Sequence, residues 1–332
     1  MNDRLRLPAE WEPHDACWLA FPYLEEEWPL GLDGAQRSIA GLCRAIAGAG
    51  AEPVRLLVRN SEVEARARSL IGQLGNIEYV EAEYGDCWLR DTAPVLGHNA
   101  RSALGALRFE FNGWGGKYVI PFDDSVGDWL AARLDAGSYD CPLVLEGGAL
   151  ESNGAGTILT TASCALNPNR NPGLTTDRFE AALSRSISFD RVIWLEAGLA
   201  HDHTDGHVDM IARFLGPNTV FCMTARPEAP NAAVLNSIEQ TLRRNGLNVI
   251  AVPAPPEIRA SDGAPLPASY CNFYIANAAV LVPVYGVETD AAALSEIENA
   301  FPERDVIGLP AADLLCGGGA FHCVTQAQPR MP

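Results

Sequence analysis

Gly317-Gly318-Gly319-Ala320-Phe321-His322-Cys323-Val324-Thr325 lies close to the end of this 332-residue chain. Three successive glycines let the backbone turn sharply and come close to a ligand. The apolar residues that follow open a strand. A thiol presented there is a candidate nucleophile, although free cysteines are often small buried hydrophobes and the chain has nine. The stretch decides the fold because it is the last of five of its kind. Trp88-Leu89-Arg90-Asp91, Glu146-Gly147-Gly148, Gly206-His207-Val208-Asp209 and Ser269-Tyr270-Cys271-Asn272 come before it, most beside an apolar segment. From Asp91 through Glu146, His207 and Asn272 to Cys323 the steps are 55, 61, 65 and 51 residues. A period of about 50–65 residues occurring five times predicts five similar units around an axis. Residues 1–332 then form one α/β domain. Asp91, Glu146, His207 with Asp209, Asn272 and Cys323 converge on its axis although they are far apart in the chain.

The segments between these turns support the same order. Helical periodicity places Ile39, Leu42, Cys43 and Ile46 on one face of residues 35–48, and Val63, Ala67, Leu70, Ile71 and Leu74 on one face of 62–74. Further helices are expected over 124–135, 177–187, 230–245 and 290–301. Strands are expected over 54–58, 107–111, 158–161, 192–195, 220–223, 249–252, 280–284 and 306–309. Two loops stand out, Asn167-Pro168-Asn169-Arg170-Asn171-Pro172-Gly173 and the proline-rich 253–267. Each is either a pocket rim or an ordinary surface connection.

Composition narrows the function. With 48% hydrophobic residues, the chain can bury a sizeable core. A net charge of −18 repels nucleic acid and anionic membranes, and either attracts a small cationic substrate or serves solubility alone. The first residues show no apolar run, so no secretory leader is expected. No stretch approaches the roughly 18 apolar residues of a membrane helix. Nine scattered cysteines without a CxxC pair fit reduced thiols in the cytoplasm. There is no Walker loop, dinucleotide-binding fingerprint or GxSxG elbow.

His201-Asp202-His203-Thr204-Asp205-Gly206-His207-Val208-Asp209 holds three of the six histidines. Metal binding is one reading of that spacing, but the other histidines are few for completing a dinuclear site. A second reading uses alternation on a strand to put His207 and Asp209 on one face, able to bind a cation and move protons. A hydrogen-bonded polar turn is a third. Trp88 and Trp114 are either core residues or aromatic faces beside polar groups, where a flat cation can stack while a carboxylate binds its edge.

Taken in order, these motifs resemble agmatine deiminases and the related bacterial-type peptidylarginine deiminases, among the guanidino-group-modifying enzymes. The similar segments also include Leu7-Pro8-Ala9-Glu10-Trp11-Glu12-Pro13-His14-Asp15, Phe111-Asn112-Gly113-Trp114-Gly115-Gly116-Lys117 and the Asn167–Pro172 loop. They span almost the whole chain. The resemblance implies a fivefold, pentein-like α/β-propeller and a cofactor-free, metal-free hydrolase of a guanidinium C–N bond. It implies Cys323 as nucleophile, His207 as general acid and base, and Asp91 and Asp209 as the carboxylates gripping the guanidinium. It implies Glu146 as a supporting acid, and Asn272, Trp88, Trp114, His203 and Asp205 as residues around the substrate. The implied partner is a small cationic guanidino compound, with a homodimer as the assembly to test.

The chain departs from the family pattern at His203, where an acid is usual, at Met210, where Asn is usual, and at Ala320 and Phe321, where Asn and Ile are common. A guanidino substrate with a different tail, such as an arginine derivative or peptidyl-arginine, therefore stays open beside agmatine. Outside that class stand a metal-dependent hydrolase built on His201, His203 and His207 and a non-catalytic binder of guanidino or polyamine ligands.

Overall fold

The computed structural model describes residues 4–28 and 30–332. Residues 1–3, part of the start read as lacking an apolar leader, lie outside the described residues. Four sheets share one connectivity: a short strand, an antiparallel neighbour, then a parallel strand reached through a helix. They are Val95–His98, Leu104–Glu110 and Gly137–Val144; Glu151–Ser152, Thr157–Thr161 and Arg191–Leu195; Ala212–Gly216, Thr219–Thr224 and Asn248–Pro253; and Tyr274–Ile275, Ala279–Val284 and Asp305–Pro310. The fifth sheet joins the chain's two ends. Gln326–Pro329 pairs antiparallel with His14–Ala20, which is followed in parallel by Val54–Val58 and Ile77–Glu81.

The units form a closed ring. Helix Thr176–Leu183 packs on Gly137–Val144 of the unit before it, Ala232–Arg244 on Arg191–Leu195, and Asp290–Ala300 on Asn248–Pro253. Helix Leu32–Ala47 packs on Asp305–Pro310, so the first unit follows the fifth. Helix Val126–Arg133 reaches the first unit through an Arg133–Glu78 pair at 3.4 Å. Each polar turn opens the short first strand of one unit, which brings all five turns inward together.

The helices, Val54–Val58, the middle strand of each three-stranded sheet and the parallel strands Arg191–Leu195, Asn248–Pro253 and Asp305–Pro310 agree with the periodicity to within a few residues. Helix Ser61–Ile71 starts on the Asn60 side chain, which accepts from the Glu62 and Val63 amides at 3.0 Å. It ends three residues earlier than expected because Gly72 takes φ +81°, leaving Leu74 exposed. The helix expected to reach residue 187 stops at Leu183. The short first strands, His14–Ala20, Ile77–Glu81 and Gly137–Val144 escaped the periodicity. Two to five residues carry little alternation, and a strand buried at all but one position, such as His14–Ala20, has little to show. The proline-rich loop contains a small hairpin, Ile258–Arg259 with Pro265–Leu266. Among the described residues no helix is long and apolar enough to cross a membrane.

Candidate active site

The five turns deliver their polar residues to one buried point. Gly148 marks it: a Cβ there would lie 2.7 Å from His207 Nδ1, 2.8 Å from Asp91 Oδ1 and 3.0 Å from Asp209 Oδ2. Only a glycine leaves that space, and its amide donates to Asp91 Oδ1 at 3.0 Å. The other Asp91 oxygen accepts from Trp114 Nε1 at 2.8 Å. Cys323 Sγ accepts from Asn272 Nδ2 at 3.1 Å and lies 3.6 Å from Asp209 Oδ2. Asn272 also shapes the nucleophile's turn, since its Oδ1 accepts from the amides of Ala320, His322 and Cys323 at 3.1, 3.1 and 3.3 Å. Met210, where the family pattern has an amide, offers only its sulfur to Asn272 Nδ2, at 3.2 Å.

His207 is fully buried. Its Nε2 lies 3.1 Å from Glu146 Oε2, while Nδ1 faces Asp91 Oδ1 at 3.7 Å and has no hydrogen-bond partner. Arg170 Nε donates to both Glu146 oxygens at 2.8 and 2.9 Å. The Asn167–Gly173 loop therefore supports the site from below rather than rimming the cavity. The sequence reading left that loop as either a pocket rim or a surface connection, and it did not single out Arg170.

Charge sets the protonation states. Burial works against the His207 cation, but Asp91, Cys164 and Glu146 outweigh it and hold the imidazole well above its ordinary value. Burial raises Asp91, and Asp209 and Glu146 add to this against His207, so Asp91 is pushed up to about 6. Burial also opposes ionisation of Asp209, yet His322, His207 and Arg213 hold it below the usual carboxylate range. Burial, then Asp209 and Asp91, push the Cys323 thiol well above its ordinary value, against the Ala320 amide and Asn272. The site thus pairs a protonated thiol with two buried carboxylates, one raised and one held low.

A cavity of about 240 Å³ leads from this point to the surface. Buried Cys323, Asp91, Asp86, Trp88 and Trp114 line it together with the more exposed His203, Tyr118, Glu26 and Glu27. Trp88 is stacked on Trp28 with ring centroids 5.7 Å apart, and its Nε1 donates to Asp86. His203 stacks on Tyr118. Asp205 does not line the cavity. Its Oδ2 is already engaged by Lys117, the chain's single lysine, at 2.8 Å, and by Asn169 and Arg170 at 2.9 and 2.6 Å. Its place is structural, tying the Trp114 turn to the Arg170 loop. A larger groove of about 640 Å³, rimmed by the proline-rich loop, contains His201 but none of the converging groups.

The histidine-rich stretch does not assemble around one point. His201 faces the large groove, His203 the cavity mouth, and His207 the buried floor. Among the described residues, Glu146, Cys164 and His207 form the one group whose ligand atoms lie within 4.8 Å of each other. The Arg170 guanidinium already occupies both Glu146 oxygens there, and a second cation would be repelled.

The model of the Porphyromonas-type peptidyl-arginine deiminase family matches residues 6–329. The chain belongs to this family. Among relatives of this deiminase, a Legionella pneumophila (strain Paris) protein provisionally named an agmatine deiminase is 37% identical, over 98% of this chain and 95% of its own. The agmatine deiminase of Enterococcus faecalis superposes with a TM-score of 0.91 at 28% identity, covering 100% of this chain and 97% of its own. A cysteine-to-serine variant of C. jejuni agmatine deiminase, with substrate bound, gives 0.91 at 25% identity, covering 99% and 97%. The deiminase family is one of C–N hydrolases acting on guanidino groups, and this chain is such an enzyme.

Proposed function

We propose that the enzyme hydrolyses agmatine to N-carbamoylputrescine and ammonia through a covalent intermediate on Cys323. The observation that carries this is the meeting of Cys323 Sγ, Asp91, Asp209 and His207 around Gly148. Two carboxylates suit the N–H edges of a planar cation and hold its carbon against the sulfur. The cation also offsets the charges that keep the thiol protonated, so substrate binding itself favours the thiolate. Sulfur then attacks the central carbon, and the His207 imidazolium, through the unpartnered Nδ1, protonates the departing nitrogen as ammonia. The thiouronium that remains is attacked by water, whose proton passes to His207. The C–S bond breaks and returns the thiolate, the adduct's hydroxyl proton is released and taken up by the freed ammonia, and the ureido product leaves. The sum is guanidinium plus water to ureido product plus ammonium.

The outer cavity favours a cationic tail. Glu26 and Glu27 line its exposed part, although the acid usual at position 203 is a histidine here. A terminal ammonium, as in agmatine, is attracted by this end, whereas the α-carboxylate of free arginine is repelled. Supporting the same reading, the C. jejuni relative was captured with substrate as a cysteine-to-serine variant.

The test is ammonia release from agmatine, arginine and peptidyl-arginine, by the wild type and Cys323→Ala, each with and without excess chelator. The expected result is turnover of agmatine by the wild type only, insensitive to chelator. Chelator-sensitive turnover retained by Cys323→Ala would sink the thiol mechanism, and binding without turnover by the wild type would favour a guanidino-binding role.

A further inference from the structure

Behind the nucleophile runs a buried polar chain that the chemistry above does not use. Glu10 lies in the segment ahead of the first long strand. Its Oε1 accepts from Arg90 Nη2 at 2.9 Å and faces His322 Nε2 at 3.2 Å. Its Oε2 accepts from Arg213 Nη2 at 2.6 Å and the Ile275 amide at 3.0 Å. One carboxylate thus touches four of the five units. The other ring nitrogen of His322, Nδ1, lies 2.7 Å from Asp209 Oδ2, while Asp209 Oδ1 is buried without a partner.

We infer that His322 is a positioning residue for guanidinium recognition: anchored from behind by Glu10, it holds Asp209 Oδ2 and so fixes the orientation of the carboxylate beside the thiol. The inference rests on the guanidino reading of the site. The two gripping carboxylates form an internal comparison. Asp91 is oriented by neutral donors, the Gly148 amide and Trp114, and sits at about 6. Asp209 is oriented by His322 and stays below the usual range, although both are buried. The arriving cation meets one carboxylate already ionised and one that ionises with it. The charged groups facing His322 are Glu10 and Asp209 at its ring, and Arg90, whose Nε donates to the His322 carbonyl at 3.3 Å. Arg213 and Glu151 stand beyond Glu10.

The experiment compares alkylation of Cys323 by a cationic haloacetamidine and by the isosteric neutral haloacetamide, across pH. It uses the wild type, His322→Leu, His322→Asn (whose amide nitrogen can stand near Nδ1) and Glu10→Gln, and needs no turnover. The wild type should prefer the cation. His322→Leu should lose about 10–100-fold of that preference, the scale for removing a group that orients a functional residue, and its acidic limb should move to higher pH. His322→Asn should recover most of the preference, and Glu10→Gln should fall between. An unchanged preference in His322→Leu overturns the inference and leaves the guanidino reading standing, as does an equal loss of both reagents' rates in the Leu and Asn variants. A wild type without cation preference overturns both. Should His322→Leu fail to fold, Glu10→Gln decides: wild-type preference and pH profile there overturn the inference.

Discussion

Asp91 illustrates how burial is turned to use at a single residue. Its carboxyl, pushed up to about 6, must ionise to grip a cation, so kcat/KM for agmatine should rise as pH passes upward through about 6. In the enzyme–substrate complex the bound guanidinium favours ionisation, and the limb in kcat should lie lower. A stability consequence has the same origin. Between the ordinary 3.8 and about 6, folded Asp91 keeps a proton that the unfolded chain has lost. Stability therefore falls as pH rises through that window, by about 3 kcal/mol from this residue. A bound cation recovers part of it. Agmatine should accordingly raise the Tm of Cys323→Ala more at about pH 7.5 than at about pH 5, where Asp91 is largely protonated. A shift independent of pH would argue against Asp91 as a cation ligand. Asp91, Glu146, His207, Asp209 and Cys323 were legible in the sequence because each sits in a turn at a regular interval. Glu10, Arg90, Arg170, Arg213 and His322 were not. They act on other side chains rather than on a ligand, and their partners are up to 312 residues away, as Glu10 is from His322. His322 is next to the thiol, yet adjacency to Cys323 says nothing about the direction of its ring.

The Asn167–Gly173 loop shows the same limit in an element. Its asparagines and prolines read as a turn, and a turn it is. Asn171 pins it by accepting from the Val144 amide at 3.1 Å and donating to the Val144 and Ala165 carbonyls at 2.8 and 3.0 Å. What the pattern could not reveal is that the loop drives a fully buried guanidinium under Glu146. Arg170 bonds Glu146, Asp205 and the Thr204 carbonyl, so it joins the turn carrying Glu146 to the one carrying His207. Arg170→Ala leaves buried Glu146 with His207 as its only charged partner, which should cost up to about 3–5 kcal/mol. In urea denaturation the double variant Arg170→Met with Glu146→Gln should recover much of that stability, because no unpaired charge remains. Its activity should stay lost, since His207 would face an amide in place of a carboxylate. A single variant within about 1 kcal/mol of wild type would show that water or other donors compensate Glu146.

At the scale of the whole molecule, the ring is closed by its last strand. The fivefold interval was visible because the inward turns carry chemistry. The closure was not, because Gln326–Pro329 is short and mostly polar and reads as a tail. Yet it supplies the first strand of the first unit and directly follows the turn bearing Cys323. Gln328 accepts from Trp18 Nε1 at 3.1 Å and Arg55 Nη1 at 2.8 Å, and Arg330 pairs with Asp15 at 3.2 Å. Deleting 326–332 would expose the backbone edge of the otherwise buried strand His14–Ala20 and untether the nucleophile's turn. Several lost ladder bonds at about 1 kcal/mol each, added to newly exposed apolar surface, rival a total stability of about 5–15 kcal/mol. The truncated chain should therefore aggregate or show no cooperative thermal transition. Gln328→Ala makes the milder test. It leaves Trp18 Nε1 without its partner and should cost about 1–3 kcal/mol, lowering Tm while preserving kcat/KM in the folded fraction. A truncated chain that melts cooperatively near the wild-type Tm would mean that the helix contacts between neighbouring units hold the ring closed without the strand.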